Sequence, residues 1–145
     1  MKEFNLDFQY IEEVDEFPDE KLERSGIYAV KKSTVRKNEK GKITFTPIEL
    51  LYIGESGDVS LRLAYHEKKA EWKKHLQNGE VLAVAIAFIS SGKDDRERAE
   101  AACIFEHQPP CNEEHTRHFH YEKTKIITSG KNAKLKPEFI VDYTE

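Results

Sequence analysis

Nowhere in the 145 residues do apolar side chains run for the roughly 20 positions that cross a bilayer. The first residues, Met1-Lys2-Glu3-Phe4-Asn5-Leu6-Asp7, lack the basic-then-apolar order of a secretory signal. The cytoplasm is therefore the expected location. Cysteine is scarce: Cys103 and Cys111 are too few for a disulfide framework, and in a reducing compartment both are expected as thiols, Cys103 in the core. Repeats and low-complexity tracts are absent as well. What is present, 38% hydrophobic and 34% charged residues, excludes a disordered chain and fits a single domain over 1–145, large enough to bury a core of its own.

The net charge of −4 speaks against a nucleic-acid partner only until it is divided along the chain, because attraction depends on local patches. Residues 1–25 carry nine acids against three bases. Residues 26–112 carry fourteen bases against twelve acids, and residues 115–137 carry six bases against one acid. From Lys31 to Lys42, six bases face Glu39 alone.

Periodicity supplies the elements. Phe4, Leu6, Phe8 and Tyr10 alternate as a strand, and Glu12 to Glu23 reads as a loop with a helical turn. Gly26 to Val30 and Leu50 to Ile53 read as strands joined by an extended basic hairpin that turns at Asn38 to Gly41. Asp58 is placed to cap a helix reaching about His75 with a break midway, and Gly79 ends it. Val81 to Ile89 is an almost unbroken apolar run, expected near the centre of the sheet and buried on both faces. Asp94 or Asp95 is placed to cap a second helix that ends at Glu106 before Pro109-Pro110. Two further strands are expected at Lys125 to Thr128, before a Ser129-Gly130 turn, and at Phe139 to Val141.

The motifs that carry chemistry begin with Gly26-Ile27-Tyr28 and Tyr52-Ile53-Gly54, each at the end of a strand-like stretch. Pairing of those strands can bring both phenols to one side of a sheet edge, while the glycines leave room for a phosphate or another backbone. Arg62 and His66, four apart after the second motif, share a helix face. Glu100 follows on the second helix, and the loop Gln108-Pro109-Pro110-Cys111-Asn112 closes the series. In identity and order these segments resemble the GIY-YIG nuclease family over about residues 25–112. The linker between the two tyrosines is longer than usual for that family, and Cys111 stands where an aromatic residue is common.

The resemblance implies an α/β (α+β) fold, a small antiparallel or mixed sheet flanked by helices, with extra strands from an N-terminal extension (1–24) and a basic C-terminal extension (113–145). It implies a divalent-metal-dependent endonuclease that hydrolyses phosphodiesters, in DNA more than in RNA. Glu100 would hold one Mg²⁺ or Mn²⁺ ion, since a lone carboxylate suits a cation that keeps its waters and takes other oxygens from phosphate. Arg62 would clamp the phosphate with its planar donors. Tyr28, Tyr52 and His66, in that order, are the candidate bases. Gly26, Gly54, Asn112, Lys31, Lys32, Arg36 and Lys37 are candidates for binding the substrate, and a homodimer or a separate protein would supply specificity. Arg96, one turn before Glu100, offers a surface ion pair as the plainer explanation of that carboxylate. The competing function is a binding module with little activity on the same scaffold. A third reading takes Cys111, His115, His118 and His120 as zinc ligands, and His75 and His107 are expected on the surface.

Overall fold

Alternating apolar residues build one mixed six-stranded sheet in the computed structural model, which describes residues 1–145. The strands are β1 (Lys2–Glu13), β2 (Gly26–Lys37), β3 (Ile43–Ser56), β4 (Glu80–Phe88), β5 (Thr124–Gly130) and β6 (Glu138–Val141). They lie in the order β3-β2-β4-β1-β5-β6, antiparallel throughout except for the β1/β5 pair. Three helices, α1 (Val59–Ala64), α2 (Lys69–Lys73) and α3 (Lys93–His107), complete an α+β fold. No helix is long and apolar enough to cross a membrane.

Strand alternation divides the core into two faces. Ile27, Ala29, Ala85 and Ala87 point to the face covered by α3, and Tyr28, Val30, Leu82, Val84 and Ile86 point to the other. The first face is rich in alanine and meets Ala99, Ala101 and Ala102 of α3, so small side chains let that helix lie close to the strands. The second face carries the larger residues and packs against Leu63 and Trp72 of the two short helices.

The long linker between the tyrosine motifs does not disturb their pairing. Strands β2 and β3 pair in one register from Gly26↔Ser56 to Val30↔Tyr52 and continue paired out to Lys37↔Ile43, with shifts between Val30 and Lys31 and between Lys32 and Ser33. The extra residues therefore extend the hairpin away from the tyrosines. The same alternation separates its bases. Lys31 is fully buried, with its Nζ donating to the Lys131 carbonyl at 2.9 Å, and burial pushes its ammonium down to about 8. It is therefore not a surface grip for phosphate. Lys32 projects to the opposite side, 3.7 Å from Glu80, while Arg36 and Lys37 are exposed near the tip.

Other boundaries differ from the sequence-based expectation. Strand β1 runs on to Glu13, and two short 3₁₀ turns, Val14–Glu16 and Glu20–Leu22, anchor the following segment through buried Val14 and Leu22. Asp58 does cap α1, accepting from the Leu61 amide at 3.1 Å. Neither Asp94 nor Asp95 caps α3: Gly92 holds that position at φ 111°, and both acids sit in the first turn, where the helix dipole favours them. His107 is a tie rather than a surface residue. Its Nδ1–H donates to the Cys103 carbonyl at 2.8 Å, and its Nε2 accepts the Lys136 amide at 2.8 Å, joining α3 to the segment before β6.

Candidate active site

Pairing of Tyr28 with Gly54 and of Val30 with Tyr52 puts both phenols on one face of the β2–β3 ribbon. Their rings stack with centroids 6.3 Å apart. Gly54 makes this possible, because a β-carbon there would fall 2.3 Å from the Tyr28 ring. Gly26 has a different neighbour: its missing β-carbon would meet the Ala87 carbonyl oxygen at 2.4 Å. Both glycines are required by close protein packing, one under a ring and one against a backbone, so each already has a steric reason for its place.

The tyrosines border a cavity of about 340 Å³ that also includes Arg62 from α1, Glu100 from α3 and Asn112. It opens at the β3 edge of the sheet, where α1 approaches from one face and α3 from the other. Burial pushes the Tyr28 phenol well above its ordinary value, an effect to which Tyr52 adds and which Arg62 opposes. Burial also pushes Tyr52 up to about 12, with Glu100 adding to the effect.

His66 does not line the cavity. The helix that starts at Asp58 stops at Ala64, and the following turn carries the imidazole inward against Trp72, with ring centroids 4.4 Å apart. Its Nδ1 accepts the Lys68 amide at 3.1 Å, and its Nε2 lies 3.0 Å from the Tyr28 hydroxyl. A backbone amide can only donate, so Nδ1 is the unprotonated nitrogen and Nε2–H donates to Tyr28 Oη. Burial, with Arg62 nearby, pushes the imidazolium down to about 4. The ring is thus neutral, with no free lone pair to take a proton from water. His66 holds Tyr28 and is not a base in this arrangement.

Arg62 forms a two-pronged pair with Glu67, Nη1 to Oε2 at 2.6 Å and Nη2 to Oε1 at 2.8 Å. The pair raises the guanidinium further above its ordinary value and pulls the Glu67 carboxyl down to about 2. Nothing in the residue spacing indicates this contact, since five positions do not share a helix face and it forms only because the helix ends.

Glu100 is not paired with Arg96, which instead reaches Glu55, Nε to Oε2 at 2.7 Å. The nearest basic group is His115, Nε2 to Oε1 at 3.9 Å. Burial, with Glu55 and Glu114 close by, pushes the Glu100 carboxyl up to about 8. No lysine or arginine pairs with it, and Glu55, Glu67, Glu113 and Glu114 line the same cavity. That surplus of carboxylate oxygens fits a hard divalent cation such as Mg²⁺ or Mn²⁺ held mostly by water and phosphate. No three His, Cys, Asp or Glu side chains converge as a metal cage.

Asn112 acts on the backbone. Its Oδ1 accepts the Ile53 amide and its Nδ2 donates to the Ile53 carbonyl, both at 2.9 Å, while the Cys111 amide donates to the Leu51 carbonyl at 2.9 Å. The Pro-rich loop thereby completes the outer edge of β3 beside Tyr52. The residues weighed as zinc ligands do not converge on one point: the Cys111 thiol lies 3.4 Å from His75 Nε2, His115 faces Glu100, and His118 stacks on His120. His75 is half-buried. No family model, no curated protein and no solved structure matches the chain.

Proposed function

We propose that the chain is a divalent-metal-dependent endonuclease that hydrolyses phosphodiester bonds, in DNA more than in RNA. The observation that supports it is the convergence of two phenols, a guanidinium and a buried carboxyl with no lysine or arginine partner on one cavity, in the motifs that resemble GIY-YIG nucleases. Convergent polar groups with displaced pKa values in a cleft are the physical mark of a reactive site.

Arg62 binds non-bridging phosphate oxygens through its two terminal nitrogens and orients the scissile group. Glu100, as carboxylate, would hold the Mg²⁺ or Mn²⁺ ion, which would supply positive charge to offset the negative charge developing on phosphorus and the leaving oxygen. Tyr28 receives a hydrogen bond from His66, which directs its own O–H toward the cavity and favours its phenolate when nearby cations draw the proton away. Tyr52 is the second candidate for orienting water or substrate oxygen. Exposed Arg36 and Lys37 lie on the extended hairpin, positioned to follow the backbone of a long substrate.

Purified protein incubated with plasmid, single-stranded DNA and RNA, each with Mg²⁺, Mn²⁺ or chelator, tests the proposal. Cleavage that requires metal and disappears in Glu100→Gln upholds it, and cleavage retained by that variant removes the metal assignment. The acidic lining of the cavity repels phosphate unless a cation is bound. This leaves a second reading, a module with little or no activity that binds nucleic acid or a partner through surfaces outside the cavity, such as the hairpin bases. Metal-independent, salt-sensitive binding without any cleavage distinguishes that module.

A further inference from the structure

A guanidinium that is to hold phosphate is already occupied. Arg62 offers both terminal nitrogens to the two oxygens of Glu67 at 2.6 and 2.8 Å, using the same donors and fork geometry that it would present to two phosphate oxygens. Both residues border the cavity that contains Tyr28, Tyr52 and Glu100.

The two partners are held unequally. Arg62 rises from α1, whose end is fixed by Asp58 and by buried Leu63. Glu67 follows the last turn, next to a His66 pinned between Tyr28 and the Lys68 amide, but its own side chain is 63% exposed. Its only other basic neighbour within 4 Å is the neutral His66 ring at 3.9 Å. Rotation about its side-chain bonds would free the carboxylate into water without moving the backbone, whereas Arg62 would remain in the wall.

Resting on the phosphate-holding role proposed for Arg62, we propose that Glu67 is an internal phosphate mimic. Its carboxylate occupies the Arg62 fork until the phosphodiester of a nucleic acid displaces it. An isolated small anion gains only the fork and must displace a tethered competitor, while a polymer brings further phosphates to the hairpin bases and a divalent cation to Glu100. The exchange would thus favour extended nucleic acid over free phosphate. A glutamate carboxylate is ionised throughout the neutral range, and the Arg62 pair only deepens this, so salt, not pH, governs its release.

The test uses full-length protein carrying Glu67→Gln or Glu67→Ala, both exposed changes, with Arg62→Ala as the reference. Steady-state cleavage of a duplex oligonucleotide is measured with Mg²⁺. Anisotropy of a fluorescein-labelled duplex is measured in the Glu100→Gln background with chelator. The expected result is a KM lowered about 3- to 5-fold, appearing in KM and not in kcat, and binding of the labelled duplex tightened by a similar factor. Both gains should vanish when Arg62→Ala is added. A fall in kcat with KM unchanged overturns the proposal and makes Glu67 a support for Arg62. Unchanged binding overturns it too. If no variant cleaves, tightening that depends on Arg62 still upholds the mimic, and it is the hydrolase reading that falls.

Discussion

The Nε2–H of His66 donates to the Tyr28 hydroxyl across 3.0 Å, with the opposite ring nitrogen taken by the Lys68 amide. Two buried polar groups are thus satisfied by each other, and the histidine orients the phenol. Tyr28→Phe should lower metal-dependent cleavage by at least about 100-fold. Because it leaves the imidazole donor without its partner, it should also cost about 1–2 kcal/mol in urea unfolding. Undiminished cleavage in that variant would remove Tyr28 from the chemistry.

The Glu100 carboxyl titrates at about 8 in the fold and at about 4.3 in an unfolded chain. The folded state keeps a proton that the unfolded state releases, so stability is greatest below the lower value, declines as pH rises between the two, and is level above. Glu100→Gln removes this loss. At pH 8 without metal the variant should be more stable than the parent by up to about 4–5 kcal/mol, a difference that disappears near pH 4. Metal binding requires the carboxylate, so Mg²⁺ affinity should increase with pH through about 8. Melting curves across pH, with and without Mg²⁺, decide both points, and parallel curves for the two proteins would refute them.

Gly54→Ala places a methyl group where the Tyr28 ring lies. The expected loss is about 3 kcal/mol, with the phenol pushed out of the cavity. In a Tyr28→Ala background the same change should cost at least about 1 kcal/mol less. A double-mutant cycle by chemical denaturation measures the coupling, and strict additivity would show that the ring does not depend on the glycine.

Asn112→Ala removes both hydrogen bonds that the side chain makes to Ile53. The global fold should persist with a loss of about 2 kcal/mol. Exchange of the Ile53 amide should accelerate by about tenfold or more, while amides in the interior of β4 change little. Unaltered exchange at Ile53 would mean that the loop does not secure that edge.

Local patterns were legible in the sequence. Alternation predicted the strands at the two tyrosine motifs, apolar continuity predicted β4, and the residues after Asp58 predicted a helix with an interruption. Charge counting misjudged Lys31, because adjacent strand residues point to opposite faces and a base can be drawn beneath the sheet when a carbonyl such as that of Lys131 meets it. Glu67 was invisible because its partner depends on where α1 ends. The bonds from Asn112 to Ile53 span 59 positions, beyond any local pattern. The two glycines were marked correctly as sites of close approach, but what approaches them is a neighbouring strand and a ring.

The first strand in the chain is an inner strand of the sheet, bonded to β4 on one side and to β5 on the other. During synthesis it must therefore wait for both neighbours to emerge, with its apolar side unsheltered in the meantime. The β2–β3–β4 meander needs no such delay and offers β4 as the template on which the earlier segment later docks. Trimming residues 2–13 would leave β5 and β6 with no strand joining them to the tyrosine-bearing half.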